Sequence, residues 1–372
     1  MDGDYVRQPM LTYCGNKRAL VEWINDSVVE VKTALGVDKI RILDAFSGTG
    51  VVSRSLAEHA SVLHSNDFEH FAYLQAKCFL GRPTDEQKSR VLAHIEAANA
   101  LADTGPLVEG VLTKNYAPRN SDDIKAGERC FYTRENAMRF DTVRRYIADH
   151  VSENDTPFVL APLIVQCSIS ANTSGVFNAF FKENGVGKWG GRSATVASSK
   201  RITAPRPLVP PIFNPYPCEV FCYCRDVNAL MEEIPDVDLV YLDAPYNELS
   251  YGSNYFLLNT VAHNKLSDKI TPGSGISVDW QRSAYYRKRT ALKAFEDLMT
   301  KVMAKTKYAI IAYSNEGHVT QTEFEALLAP YAFTVVEREH VRFSNTGHKG
   351  AARDNLKRPR TVCERMYLVS KK

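Results

Sequence analysis

The sequence predicts an α/β protein: a mostly parallel sheet covered by helices on both faces, with an antiparallel C-terminal hairpin and an inserted, mainly helical domain. Three observations predict it. Short β-branched runs alternate with segments of helical periodicity, the order that builds parallel sheets. Two late runs, 333–341 and 364–369, can pair as a hairpin. Between about Thr84 and Pro211 the alternation fails, and an insertion is the economical explanation.

In chain order, a helical pattern at 16–35 leads into an apolar strand at 40–46 and a glycine-rich turn. Helix 51–59, strand 61–66 and helix 69–80 follow, and the insertion begins after them. It carries helical patterns at 86–101, 135–150 and 159–169, a glycine-rich basic loop at 184–193, and a proline-rich connector at 204–217. The alternation then resumes with strands 220–225 and 237–242, helix 287–305 and strand 308–313. Active sites of such sheets lie at the carboxyl ends of the strands.

The chain has 372 residues, enough for one large domain with an insertion or for two domains. Its net charge of +3 is too small to establish a nucleic-acid partner. The distribution says more: between Lys182 and Arg206 stand six basic residues against the single acid Glu183, and the tail from Arg338 is also rich in Arg and Lys. No run of about 18 apolar residues is present, which argues against a membrane span. The N-terminus lacks the basic start and apolar core of a signal peptide. Of eight cysteines only Cys218, Cys222 and Cys224 cluster, in a spacing that matches no common zinc pattern. A reduced, cytoplasmic protein without a metal site is expected.

Residues 237–246, VDLVYLDAPY, form an apolar strand that ends in Asp243-Ala244-Pro245-Tyr246. The exocyclic amine of adenine or cytosine donates its lone pair into the ring and is a poor nucleophile. Two acceptors on its hydrogens hold the nitrogen and favour the tetrahedral geometry that attack on a methyl group needs. The Asp243 carboxylate and the Ala244 carbonyl could be those acceptors. Pro245 biases residue 244 toward extended backbone, and Tyr246 could stack the base, at roughly 1–3 kcal/mol per stacked base. A base in a duplex must first leave the stack, at a cost of a few kcal/mol.

Four further segments fit a cofactor. Asp44-Ala45-Phe46-Ser47-Gly48-Thr49-Gly50 follows a buried strand; its glycines let backbone approach a ligand, or simply turn the chain. The next strand ends at Asn66-Asp67, where the acid can bind ribose hydroxyls or an ammonium group, or cap a helix. Asp226 can accept from an adenine amine while Val227 packs the ring, or cap the segment VNALMEEI. In LTYCGNKRAL at 11–20, Tyr13 can lie against a flat cofactor and Asn16 can cap the helix carrying Lys17. FSGTG does not continue as G-x-G-x-x-G, which argues against a nicotinamide dehydrogenase.

In this order the motifs resemble those of the Dam-like (D12, alpha) class of adenine-N6 DNA methyltransferases, in their type II restriction–modification branch. YCGNK at 13–17 is similar to motif X, DAFSGTG at 44–50 to motif I, SND at 65–67 to motif II; RDV at 225–227 and DAPY at 243–246 follow the insertion. The stretch 243–262, YSNEG at 313–317 and the basic tail also resemble that branch. The resemblance implies a Rossmann-like S-adenosylmethionine-dependent methyltransferase sheet. Residues 1–84 and 212–372 would form the catalytic domain and 85–211 the target-recognition domain. It implies S-adenosylmethionine binding by Tyr13, Lys17, Phe46, Gly48, Asp67 and Asp226, with Asp44, Gly50 and Val227 beside them. Catalysis would fall to Asp243 and Tyr246 with Ala244 and Pro245, on double-stranded DNA, with room for a cognate restriction endonuclease acting on the same site. The family motif is usually D-P-P-Y; Ala244 replaces the first proline, and because the acceptor there is main-chain, alanine retains it.

The basic loop can be merely solvated, or it can reach DNA, where Arg192 suits a guanine edge, Lys188 a phosphate and Trp189 a stacked or displaced base. Arg282, Arg287, Lys288 and Arg289 can track phosphate or begin a solvated helix. The amine chemistry alone leaves a cytosine-N4 or RNA methyltransferase open, and Ala244 is the one support for a catalytically silent DNA-binding relative. Within the family pattern, Asp rather than Ser at 243 leans toward adenine.

Overall fold

A computed structural model describes residues 3–7, 11, 13–192, 194–248, 250–341 and 361–372. Thr12, Ser193, Leu249 and the basic stretch 342–360 of the tail lie outside the described residues.

The strands are β1 (Ile40–Asp44), β2 (Ala60–Asp67), β3 (Lys182–Glu183), β4 (Val186–Gly187), β5 (Glu219–Cys224), β6 (Leu239–Leu242), β7 (Tyr308–Ser314), β8 (Ala332–Val341) and β9 (Thr361–Ser370). Seven of them form one sheet in the order β5-β2-β1-β6-β7-β9-β8. Strands β5, β2, β1, β6 and β7 are parallel. The C-terminal hairpin is antiparallel, but its second strand is the inner one: β9 lies between β7 and β8 and pairs with both.

Alternation along the strands divides the sheet's side chains between two cores. Ile40, Ile42, Leu63, Leu239 and Tyr241 meet Trp23, Ile24 and Val28 of helix Val21–Leu35 and Leu56 of helix Val51–Leu56. Leu43, Val240, Leu242 and Ile311 face the other way, onto helices Val227–Glu233, Lys288–Lys305 and Gln321–Leu328. Each such aliphatic side chain contributes about 1.5–3 kcal/mol by leaving water.

Residues 85–211 hold the expected helices, as Asp85–Thr104, Arg134–His150 and Thr156–Ser170. The last is apolar around its circumference and packs at the centre of a third core. That core also takes in Phe71, Leu74 and Phe79 of helix His70–Phe79, and Phe256, Leu257 and Val261 of helix Phe256–His263. The loop at 184–193 begins as a tight hairpin, with Lys182 opposite Gly187 and positive φ at Asn184 (50°) and Gly185 (86°).

The helix expected over 16–35 starts later. The Asn16 side chain accepts the Arg18 N–H at 2.7 Å, a 3-10 turn spans Arg18–Leu20, and the α-helix runs Val21–Leu35. Lys17 therefore stands outside the helix.

Candidate active site

The chain leaves β1 toward β2 on one side and leaves β6 toward β7 on the other, so a crevice opens at the carboxyl ends of these two neighbours. A cleft lies there, lined by residues of 13–17 and of the loops after β1, β2, β5 and β6.

On one side is the glycine loop. Gly48 has φ 51° and Gly50 φ 78°, a conformation that other residues adopt at a cost. Asp67 accepts the Gly48 N–H at 2.7 Å and the Glu69 N–H at 2.8 Å, so it clamps the loop. It does not cap the following helix, whose N-cap is Glu69. Asn66 laces β2 to its neighbours, donating to the Ala45 and Arg225 carbonyls at 3.1 Å. Asp226 caps helix Val227–Glu233 by accepting the Ala229 N–H at 3.2 Å, and it also lines the cleft, as do Val227 and Phe46. Tyr13 stacks on Tyr255 at 4.6 Å and Tyr251 at 5.0 Å, with its edge 3.2 Å from where a Cβ on Gly48 would lie.

Asp243 stands on the other side, 16% exposed, with Lys17 Nζ 3.0 Å from its Oδ1. The Lys17 side chain is 4% exposed; its ammonium lies 5.4 Å from the centre of the Tyr246 ring and 3.8 Å from Glu364 Oε1. Ala244 is buried; Pro245 and Tyr246 line the cleft, the Tyr246 ring meeting Tyr313 edge-on at 5.8 Å. No donor among the described residues engages the Ala244 carbonyl.

The cleft is rich in acid. Burial pushes Asp243 up to about 6; Lys17 opposes the shift and Glu364 adds to it. Burial takes Asp44 to about 7, held back by a 2.5 Å hydrogen bond from Ser53 and raised further by the charges of Asp243 and Asp67. Glu69 rises to about 8 through burial and the Asp67 charge, although Asn259 donates to it at 2.6 Å. For Lys17, Asp243 and Glu364 outweigh burial and hold the ammonium above the ordinary lysine value. Several buried carboxylates with one ammonium among them make a site suited to a cationic ligand.

The cofactor and catalytic residues named from sequence, from Tyr13 to Tyr246, thus line one cleft, except Asp44 and Gly50, which do not line it. Sequence reasoning missed Glu69, Tyr251, Tyr255, Asn259 and Glu364. The three residues expected to contact DNA lie outside this cleft: Lys188 pairs with Glu183 at 2.6 Å, Trp189 donates to the Ser121 carbonyl at 3.0 Å, and Arg192 is exposed. Among the described residues no group of three or more His, Cys, Asp or Glu is placed to hold a metal ion.

The family described as D12 class N6 adenine-specific DNA methyltransferase matches residues 13–270. Type II methyltransferase M.NlaIII of Neisseria lactamica is 27% identical over 352 residues, 91% of this chain and 96% of that protein. Type II methyltransferase M.CviAII of Paramecium bursaria Chlorella virus 1 is 26% identical over 351 residues, 89% of this chain and 92% of that protein. Type II methyltransferase M.FokI of Planomicrobium okeanokoites is 28% identical over 329 residues, 86% of this chain but 46% of its own length.

Proposed function

Because the chain belongs to the D12 class N6 adenine-specific DNA methyltransferases, we propose that its cleft moves a methyl group from S-adenosylmethionine to N6 of an adenine held at Asp243-Ala244-Pro245-Tyr246. The chain is a site-specific DNA adenine methyltransferase, and DNA is its substrate. The observation that carries the site assignment is the convergence of Asp243 and the Gly48–Asp67 clamp on one cleft at the β1/β6 crevice.

When bound, S-adenosylmethionine supplies a methyl group on an electrophilic sulfonium. The residues that would hold it are Tyr13, Phe46, Gly48, Asp67, Asp226 and Val227, with Asp44 and Gly50 supporting the loop. The excess of buried carboxylate fits its positive charge. Asp243 accepts one hydrogen of the target amine and the Ala244 carbonyl the other. Lys17 holds Asp243 from the Oδ1 side, which fixes the carboxylate and leaves Oδ2 for the amine. With its proton affinity raised to about 6, Asp243 is also a competent acceptor for the proton that the amine sheds. Tyr246 stacks the displaced base.

Target selection falls to residues 85–211. Arg192 is exposed and reads a base edge; Lys188 exchanges Glu183 for phosphate. Trp189, whose N–H is already used, offers only its ring face. The type II names of the relatives support a restriction–modification setting with a cognate endonuclease. Action in the cytoplasm agrees with the finding that no helix among the described residues is long and apolar enough to cross a membrane.

Nucleoside mass spectrometry of DNA from cells expressing the protein tests the product. N6-methyladenine without N4-methylcytosine is expected; methyl transfer to RNA alone would contradict the proposal.

A further inference from the structure

The last strand of the sheet delivers a carboxylate to the catalytic loop. Glu364 sits in β9 opposite Ser314, the final residue of β7, and is 4% exposed. Its Oε1 is 3.8 Å from Lys17 Nζ, the same ammonium that lies 3.0 Å from Asp243. Among the described residues no donor bonds Glu364 Oε2. A carboxylate held this way is costly to bury, and a well-packed apolar side chain would serve the fold as well or better. One ammonium between two buried carboxylates is instead an arrangement that adjusts both.

We infer that Glu364 is a positioning residue for methyl transfer: it draws the Lys17 ammonium partly off Asp243 and adds negative charge nearby, leaving the Asp243 carboxylate a stronger acceptor for the target amine. This rests on the assignment of Asp243 as that acceptor. Among the described residues, the other ionisable groups around Asp243 are Asp44 at the end of β1, Tyr241 in β6, Tyr246 and Tyr251. The three tyrosines are all raised by burial and stay neutral through the working range, so they do not substitute for the Glu364 charge. Of the charged neighbours, Lys17 lowers and Glu364 raises the proton affinity of Asp243.

The test is the pH dependence of kcat for wild type, Glu364→Gln, Glu364→Asp and Asp243→Ala, at saturating DNA and cofactor. Glu364→Gln is expected to move the acid limb down by roughly one pH unit and to lower the plateau several-fold, with S-adenosylhomocysteine affinity unchanged. Glu364→Asp retracts the charge by one methylene and should move the limb in the same direction by less; it decides the matter if the glutamine variant does not melt cooperatively. A limb that stays in place in a folded variant overturns the inference, because a merely structural carboxylate would cost activity without moving it. A limb that vanishes in Glu364→Gln also overturns it, since Glu364 would then be the titrating group itself. Full activity in Asp243→Ala would instead remove the acceptor assignment.

Discussion

Lys17 and Asp243 form an ion pair of 3.0 Å that joins the N-terminal segment to the loop after β6, inside the cleft. In the proposed reaction this pair sets the acid side. Asp243 is held near 6, so its carboxylate is present above that value and is lost as pH falls through it. The methyl-transfer rate should be flat between pH 7 and 8 and fall about tenfold per unit below 6. In Lys17→Met the ammonium no longer opposes protonation, so the limb moves upward. Breaking a buried pair also costs about 3–5 kcal/mol of stability near pH 8. That loss should shrink as pH falls and the orphaned carboxylates take protons. Rate profiles and urea midpoints at two pH values check both statements.

Cofactor charge should be felt by Asp44 and Glu69, raised to about 7 and about 8. Both folded values lie above the ordinary carboxylate range, so both groups still hold protons near neutrality and lose them as pH rises. A sulfonium binds better once they ionise. Affinity for S-adenosylmethionine is therefore expected to increase from pH 6 to pH 8, more steeply than affinity for the uncharged sulfide S-adenosylhomocysteine. Calorimetry with both ligands across this range is the measurement; equal slopes would remove these carboxylates from the cofactor's field.

Gly48 and Gly36 both have positive φ, 51° and 68°, but only Gly48 would put a Cβ against Tyr13, at 3.2 Å; nothing lies within 4 Å at Gly36. Alanine at either position costs on the order of 1 kcal/mol of backbone strain. Gly48→Ala should in addition weaken cofactor binding several-fold by displacing Tyr13, whereas Gly36→Ala should leave it unchanged. Thermal melts and cofactor titrations of the two variants separate strain from contact.

Recognition can be separated in the same way. Arg192→Ala is expected to lose about 1–3 kcal/mol of discrimination at one base position. Lys188→Ala should instead weaken binding to all sequences and flatten its salt dependence. Methylation of a library of single-base site variants at two salt concentrations reads both; unchanged specificity in Arg192→Ala would take this loop off the reading surface.

The strand-end acids were legible because each closes a run of strand pattern, and four such acids beside a glycine-rich loop form a constellation that helix capping alone does not explain. Asp44, Asp67, Asp226 and Asp243 all proved to line or support one cleft. Glu364 was not legible, because its place depends on β9 running inside β8, a long-range register that local pattern does not carry. Glu69 and Asn259 meet across the fold for the same reason. Tyr251 and Tyr255 are four residues apart, and that helical spacing was a signal that could have been used. So was Asn184-Gly185, a turn pair that marks the hairpin bringing Lys188 to Glu183. The insertion's helices were clear from their periodicity. An apolar face does not name its partner, however, so their shared core with helices His70–Phe79 and Phe256–His263 had to await the structure.

The most direct measurement is methyl transfer by Asp243→Ala alongside its S-adenosylhomocysteine affinity. The residues proposed to hold the cofactor lie in the N-terminal segment and on the loops after β1, β2 and β5, and the proposed acceptor on the loop after β6. Transfer should therefore fall by roughly a hundred- to a thousandfold, with affinity within a few-fold of wild type and a cooperative thermal transition retained. A variant that still methylates DNA at the wild-type rate would contradict the assignment of Asp243 as the group that holds the target amine.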